Sequence, residues 1–334
     1  MNPAAPSLSD VAWTPALAAA LADAAAAVAA LDARVSASSY AAAWDLRARW
    51  TGYAQALRLQ LQPFEEIDII AAACGIHIPG RLIDSTTQDP LDGFAAWQDD
   101  LGNRRGWDAP EALPQFAHLS GPWAGVPVLA RALALLDAHA RDDGSTAPWL
   151  ALPLTLCRLG VTRRPLPCLV IGDAGQRVRS EPRAALLMRL LKHLRGAADD
   201  GLSRLDRLEA TARRNAAAVG AEHRAGKLLD LARITLGRPC LGARSLAPLV
   251  GLTISGAGKL LERAARLAML VEISGRETWR TYVAPDVALA LGLVAPARGR
   301  PPLAPAPAAA LDPVLRAFDD EMAEIEAQLA RLAR

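Results

Sequence analysis

Three basic side chains, Lys259, Arg263 and Arg266, recur at spacings of four and three. On an α-helix those spacings return to one face, so the three charges form a single stripe. Such a stripe suits phosphate oxygens and guanine edges. Thr253 and Ser255 stand just ahead of it, where a hydroxyl caps a helix and can also donate to a phosphate. Arg276 and Arg280 follow in a turn-rich stretch, placed for a minor groove or a backbone. The chemistry this set offers is electrostatic capture of a polyanion.

The surrounding residues predict the elements that position these groups. Ser245 to Gly251 reads as a short helix and its turn, with Ala247 and Gly251 four apart. Thr253 to Met269 reads as a second helix with Leu260, Leu261, Ala264 and Leu267 on one face. Val271 to Ile273, Ser274 to Glu277 and Thr278 to Val283 read as strand, turn and strand. Helix, turn, helix and hairpin over Gly242 to Pro285 is the pattern of a winged helix-turn-helix, and its expected partner is double-stranded DNA. Gly256 and Gly258 carry no side chain in the turn that usually reads bases, so selectivity is expected to be modest or to come from DNA shape.

Charge distribution agrees with this placement. The whole chain of 334 residues carries a net charge of only +2. From Gly226 to Pro285, nine basic residues face four acidic ones. A local basic excess on one module is the footprint of phosphate binding. Hydrophobic residues make up 52% and charged ones 22%, which excludes a disordered chain. Abundant Ala, Leu and Arg with 4% aromatics predict a mainly α-helical protein.

Cys74, Cys157, Cys168 and Cys240 are scattered, with no ligand spacing to a histidine, so buried reduced thiols and a cytoplasmic location are expected. No metal or cofactor site is read. Pro15 to Val35 is Ala-rich and interrupted by Asp23 and Asp32, too weak for a membrane span, and no basic residue precedes Arg34 as a signal peptide would need.

A second constellation lies at His139-Ala140-Arg141-Asp142-Asp143-Gly144-Ser145-Thr146-Ala147, between predicted helices Val126 to Ala140 and Trp149 to Gly160. In spacing it resembles the signature loop of the Fic superfamily, with His139, Asp143 and Gly144 at the matching positions. Family members transfer a nucleotide monophosphate to a hydroxyl side chain. The resemblance implies His139 as general base, Asp143 as an aid to metal binding and Gly144 in a turn that cradles phosphates at a helix N-terminus. The motif is degenerate. Ser145, Thr146 and Ala147 stand where the family has Asn, Gly and Arg, which removes a bidentate phosphate clamp and puts a β-branched residue where backbone should approach phosphate. Leu166-Pro167-Cys168-Leu169 and the segment Leu46 to Arg81 also look like a Fic-related proteobacterial family that ends in a winged helix-turn-helix.

The expected fold is therefore a helical Fic-like body, a winged helix-turn-helix with a small β-hairpin wing, and a terminal amphipathic helix. The predicted borders are an N-terminal helical region at 1–110, the degenerate Fic-like domain at 111–222, the DNA-binding domain at 223–295, a Pro/Ala-rich linker at 296–313 and the last helix at 314–334. Two helices, Arg183 to Leu194 and Leu202 to Val219, are predicted around a break at Ala198-Asp199-Asp200-Gly201. Pro79 to Asp108 reads as a long connection and Leu166 to Ile171 as an extended run. Leu315, Phe318, Met322, Ile325, Leu329 and Leu332 form a short heptad seam, suited to a homodimer or to docking on the protein's own body. The functional expectation is a DNA-binding transcriptional regulator with a catalytically inactive body. A protein-interaction scaffold or toxin–antitoxin-type partner, and a residual nucleotidyl transferase using His139, are the alternatives.

Overall fold

In the computed structural model, 11–60, 65–76, 92–103, 126–172, 182–275 and 280–294 are described. The described residues are mainly helical, with eleven α-helices and one three-stranded sheet. The heptad positions Leu315, Phe318, Met322, Ile325, Leu329 and Leu332, and also Arg276, lie outside them.

The body is built on α1 (Pro15–Ala37), α2 (Ala41–Leu57), α3 (Glu66–Ala73), α4 (Asp92–Asn103), α5 (Val128–Asp142), α6 (Ala147–Arg158) and α7 (Arg183–Ala221). Thr14 accepts the Leu17 amide and Pro15 opens the helix, so α1 is capped. By length and composition α1 is long and apolar enough to cross a membrane. Here Leu17, Ala24, Val28, Leu31 and Val35 are buried along α7, while Asp23 and Arg34 make ion pairs with Arg195, Asp206 and Glu209 of α7.

The predicted break in α7 is absent: the helix runs 39 residues through Asp199-Asp200-Gly201. The reason is local. Asp199 pairs with Arg195 and Asp200 with Arg204, each one helical turn away, so the two acids reinforce the helix. Gly201 serves close packing. A Cβ there would lie 2.8 Å from Cys168 Sγ, and its carbonyl accepts the Trp44 indole N–H at 2.9 Å.

Two further expectations are corrected. The supposed connection Pro79 to Asp108 contains α4, whose Phe94, Trp97 and Leu101 return to one buried face at spacings of three and four. Tyr53 packs on Phe94 and Trp97 with ring centroids 4.9 and 5.9 Å away. The extended run at Leu166 to Ile171 holds a buried 3₁₀ turn at Pro167–Leu169 against α2. Gly52 permits that approach, since a Cβ on it would meet the Pro167 carbonyl oxygen at 2.1 Å.

The C-terminal part comprises α8 (Leu228–Gly237), β1 (Cys240–Gly242), α9 (Ala243–Val250), α10 (Ile254–Arg266), β2 (Val271–Glu272), β3 (Thr281–Val283) and α11 (Pro285–Ala290). The sheet order is β1-β3-β2, antiparallel, with Leu241 opposite Tyr282 and Val271 opposite Val283. Leu228, Leu231, Leu241, Leu246, Val250, Ala257, Leu261, Ala264 and Leu270 form its core, distinct from the apolar cluster of the body. Strand β1 is an addition to the sequence reading; Cys240-Leu241 is a two-residue apolar segment between Pro239 and Gly242, too short to show a period.

Candidate nucleic-acid interface

The turn between α9 and α10 is set by Gly251, which takes φ +66 and ends α9 as a left-handed cap. Thr253 then caps α10, its hydroxyl accepting the Gly256 amide at 3.1 Å. Ala257, Leu260, Leu261 and Ala264 face the core. At about 100° per residue, the direction opposite that face carries Ser255, Lys259, Glu262 and Arg266, and all four are exposed.

Arg263 stands about 60° away from this outward line. It is 33% exposed, ion-paired to Glu222 just past the end of α7, and it donates to the Arg224 carbonyl at 2.8 Å. The expected three-charge stripe is therefore divided. Lys259 and Arg266 project to solvent, whereas Arg263 anchors α10 to the end of α7. Glu222 lies 41 positions from Arg263, beyond any spacing argument.

Arg280, immediately before β3, is exposed. Its guanidinium lies 3.5 Å from Glu262 and its affinity for a proton is raised by the Tyr282 side chain. Glu262 thus brings a carboxylate onto the outward face between Lys259 and Arg266, held toward Arg280. Ser255 is exposed in the first turn; the capping bond at this terminus is made by Thr253.

Two apolar side chains flank the same turn. Leu249 at the end of α9 is 43% exposed and Ile254, the first residue of α10, is 52% exposed, the highest value among the large exposed hydrophobics of the described residues. The sequence reading missed both, because their burial depends on the crossing of α9 and α10.

The second constellation occupies the end of α5 and the start of α6. His139 is half-buried in the last turn of α5, and its carbonyl accepts the Asp143 amide at 2.8 Å. Asp143 folds onto its own loop. Oδ1 accepts the Ser145 amide at 2.8 Å and Oδ2 accepts the Ser145 hydroxyl at 2.9 Å. These bonds, the amide first, hold the Asp143 carboxyl below its usual value. Ser145 Oγ in turn accepts the Ala147 amide at 3.1 Å, so the loop's serine closes the first turn of α6. Gly144 is exposed. Among the described residues no three His, Cys, Asp or Glu side chains converge as metal ligands. The four cysteines are unbridged; Cys74, Cys168 and Cys240 are buried, and burial pushes their thiols above the ordinary value.

No family model matches the sequence, and no curated protein is significantly similar to it.

Proposed function

We propose that residues 228–283 are a winged helix-turn-helix that binds double-stranded DNA, and that the protein is a transcriptional regulator whose Fic-like body is catalytically inactive. The order α8, β1, α9, α10, β2, β3, with sheet order β1-β3-β2, supports this reading, because that order leaves α10 with one face free beside a hairpin. The observation that carries it is the outward exposure of Lys259 and Arg266 on α10, with exposed Arg280 immediately before β3. The reading of the body as inactive rests on Asp143, whose carboxylate is engaged by Ser145, and on the replaced phosphate clamp. DNA binding by a cytoplasmic protein is the corresponding location and partner.

Gel retardation of genomic fragments across a salt series tests the proposal. Each phosphate neutralised contributes about 0.9 to the slope of log K against log salt. Lys259→Ala and Arg266→Ala should each flatten that slope by about one unit. Failure of the wild-type protein to retard any duplex at low salt would remove the reading and leave protein scaffolding as its replacement.

A further inference from the structure

The leading turn of α10 is poor in side chains that could read a base by hydrogen bonding. Gly256 and Gly258 have none, the Thr253 hydroxyl is occupied in the helix cap, and Ser255 offers one short exposed hydroxyl. Glu262 is held toward Arg280. The remaining large group at the tip is Ile254, 52% exposed, with Leu249 at 43% on the other side of the turn. Within this module Leu246, Leu261 and Val283 are fully covered, and Leu229 of α8, 44% exposed, is a further large apolar side chain left open. An exposed isoleucine at a helix tip offers apolar surface whose burial by a partner is favourable. The same helix carries Lys259 and Arg266 outward, so the surface that would cover Ile254 is a polyanion with apolar groups on it. In duplex DNA the major groove offers one apolar group, the C5 methyl of thymine.

We propose that Ile254 selects DNA sites by packing against a thymine methyl in the major groove, with Leu249 widening the apolar contact. The inference rests on the DNA-binding reading above. It assigns base selectivity to a van der Waals contact at the helix tip and leaves Lys259 and Arg266 as selectivity-neutral phosphate contacts.

The test uses the full chain and a duplex enriched from a random library. Each thymine in that duplex is replaced in turn by uracil, which deletes the methyl and keeps the pairing edge. One or two positions should weaken wild-type binding about fourfold, the transfer value of a group of that size. Ile254→Ala should bind the thymine and uracil duplexes equally, and Ile254→Val should retain part of the difference. Lys259→Ala should weaken both duplexes alike. Circular dichroism melting of Ile254→Ala checks that the exposed substitution leaves the fold intact. Wild-type binding indifferent to every uracil replacement overturns the inference while DNA binding stands. A wild-type sensitivity that persists unchanged in Ile254→Ala overturns it too. Absence of enrichment of any duplex sinks the DNA-binding reading and this inference with it.

Discussion

Arg47 of α2 and Asp286 of α11, 239 positions apart, form a buried ion pair. Arg47 also donates from Nε to the Leu236 carbonyl at 2.8 Å and from Nη2 to the Thr235 carbonyl at 2.7 Å. One guanidinium thus satisfies two terminal acceptors of α8 and the first turn of α11. Burial pulls the Arg47 guanidinium below its ordinary value, and the Asp286 carboxylate opposes that shift. The two partners are not equivalent. Without Arg47, Asp286 becomes an uncompensated buried charge, and its Oδ1 already lacks a protein partner. Without the Asp286 charge, Arg47 keeps both carbonyls. Arg47→Ala should therefore destabilise by about 3–5 kcal/mol in urea unfolding, and Asp286→Asn by clearly less. Equal losses would show that the carbonyl bonds contribute nothing.

Glycines of opposite kinds give a second expectation. A Cβ on Gly52 would stand 2.1 Å from the Pro167 carbonyl oxygen, a backbone atom that cannot step aside. Gly52→Ala should cost at least about 3 kcal/mol or abolish soluble expression. A Cβ on Gly258 would meet Ala243 Cβ at 3.8 Å, an ordinary contact. Gly258→Ala should then raise stability by about 0.5–1 kcal/mol through helix propensity. Thermal melting of the two variants side by side checks both signs.

The sequence makes the start of α10 legible because it has local causes, Gly251 in the left-handed region and Thr253 as cap, followed by apolar residues at Leu260, Leu261 and Ala264. The end of α10 falls at Arg266, short of the predicted Met269, and Leu267 is only partly buried. The sequence misleads at Asp199-Asp200-Gly201. That string has the composition of a turn, yet its acids pair with Arg195 and Arg204 and its glycine admits Cys168 and Trp44. Long-range partners make the difference, and one-dimensional spacing does not contain them. The same limit applies to the basic stripe. Periodicity puts Lys259, Arg263 and Arg266 near one face, but only the fold brings Glu222 to Arg263.

Acid should loosen the contact of α1 with α7. Glu209 accepts the Ser38 hydroxyl at 2.7 Å and an Arg34 N–H at 3.2 Å. These bonds, the hydroxyl first, hold its carboxyl below the ordinary 4.5. A depressed carboxyl binds protons less readily when folded, so its stabilisation is fully present above 4.5 and lost as pH falls through the lower folded value. The melting temperatures of wild type and Glu209→Gln should differ at pH 6, and the gap should narrow as pH falls below 4.5. A gap that stays constant down to pH 3 would assign the effect of the substitution to packing.

If α10 contacts DNA as proposed, the Arg263–Glu222 pair makes affinity adjustable from outside that helix. In the free protein the Arg263 charge is neutralised by Glu222 and anchored by the Arg224 carbonyl. Its spacing from Lys259 and Arg266 keeps it within a side chain's reach of the same phosphate row. Glu222→Gln removes the competing anion and one negative charge beside the proposed interface, while conserving shape. The variant should bind duplex DNA more tightly at low salt, with the salt slope steeper by about one unit as a further phosphate is neutralised. Arg263→Ala, by contrast, should leave the wild-type slope nearly unchanged, because that charge is already spent within the protein. Slopes for the four proteins (wild type, each single variant and the double variant) decide it. If Glu222→Gln steepens nothing while Arg263→Ala flattens the wild-type slope by a full unit, Arg263 contacts phosphate directly and the ion pair opens on binding.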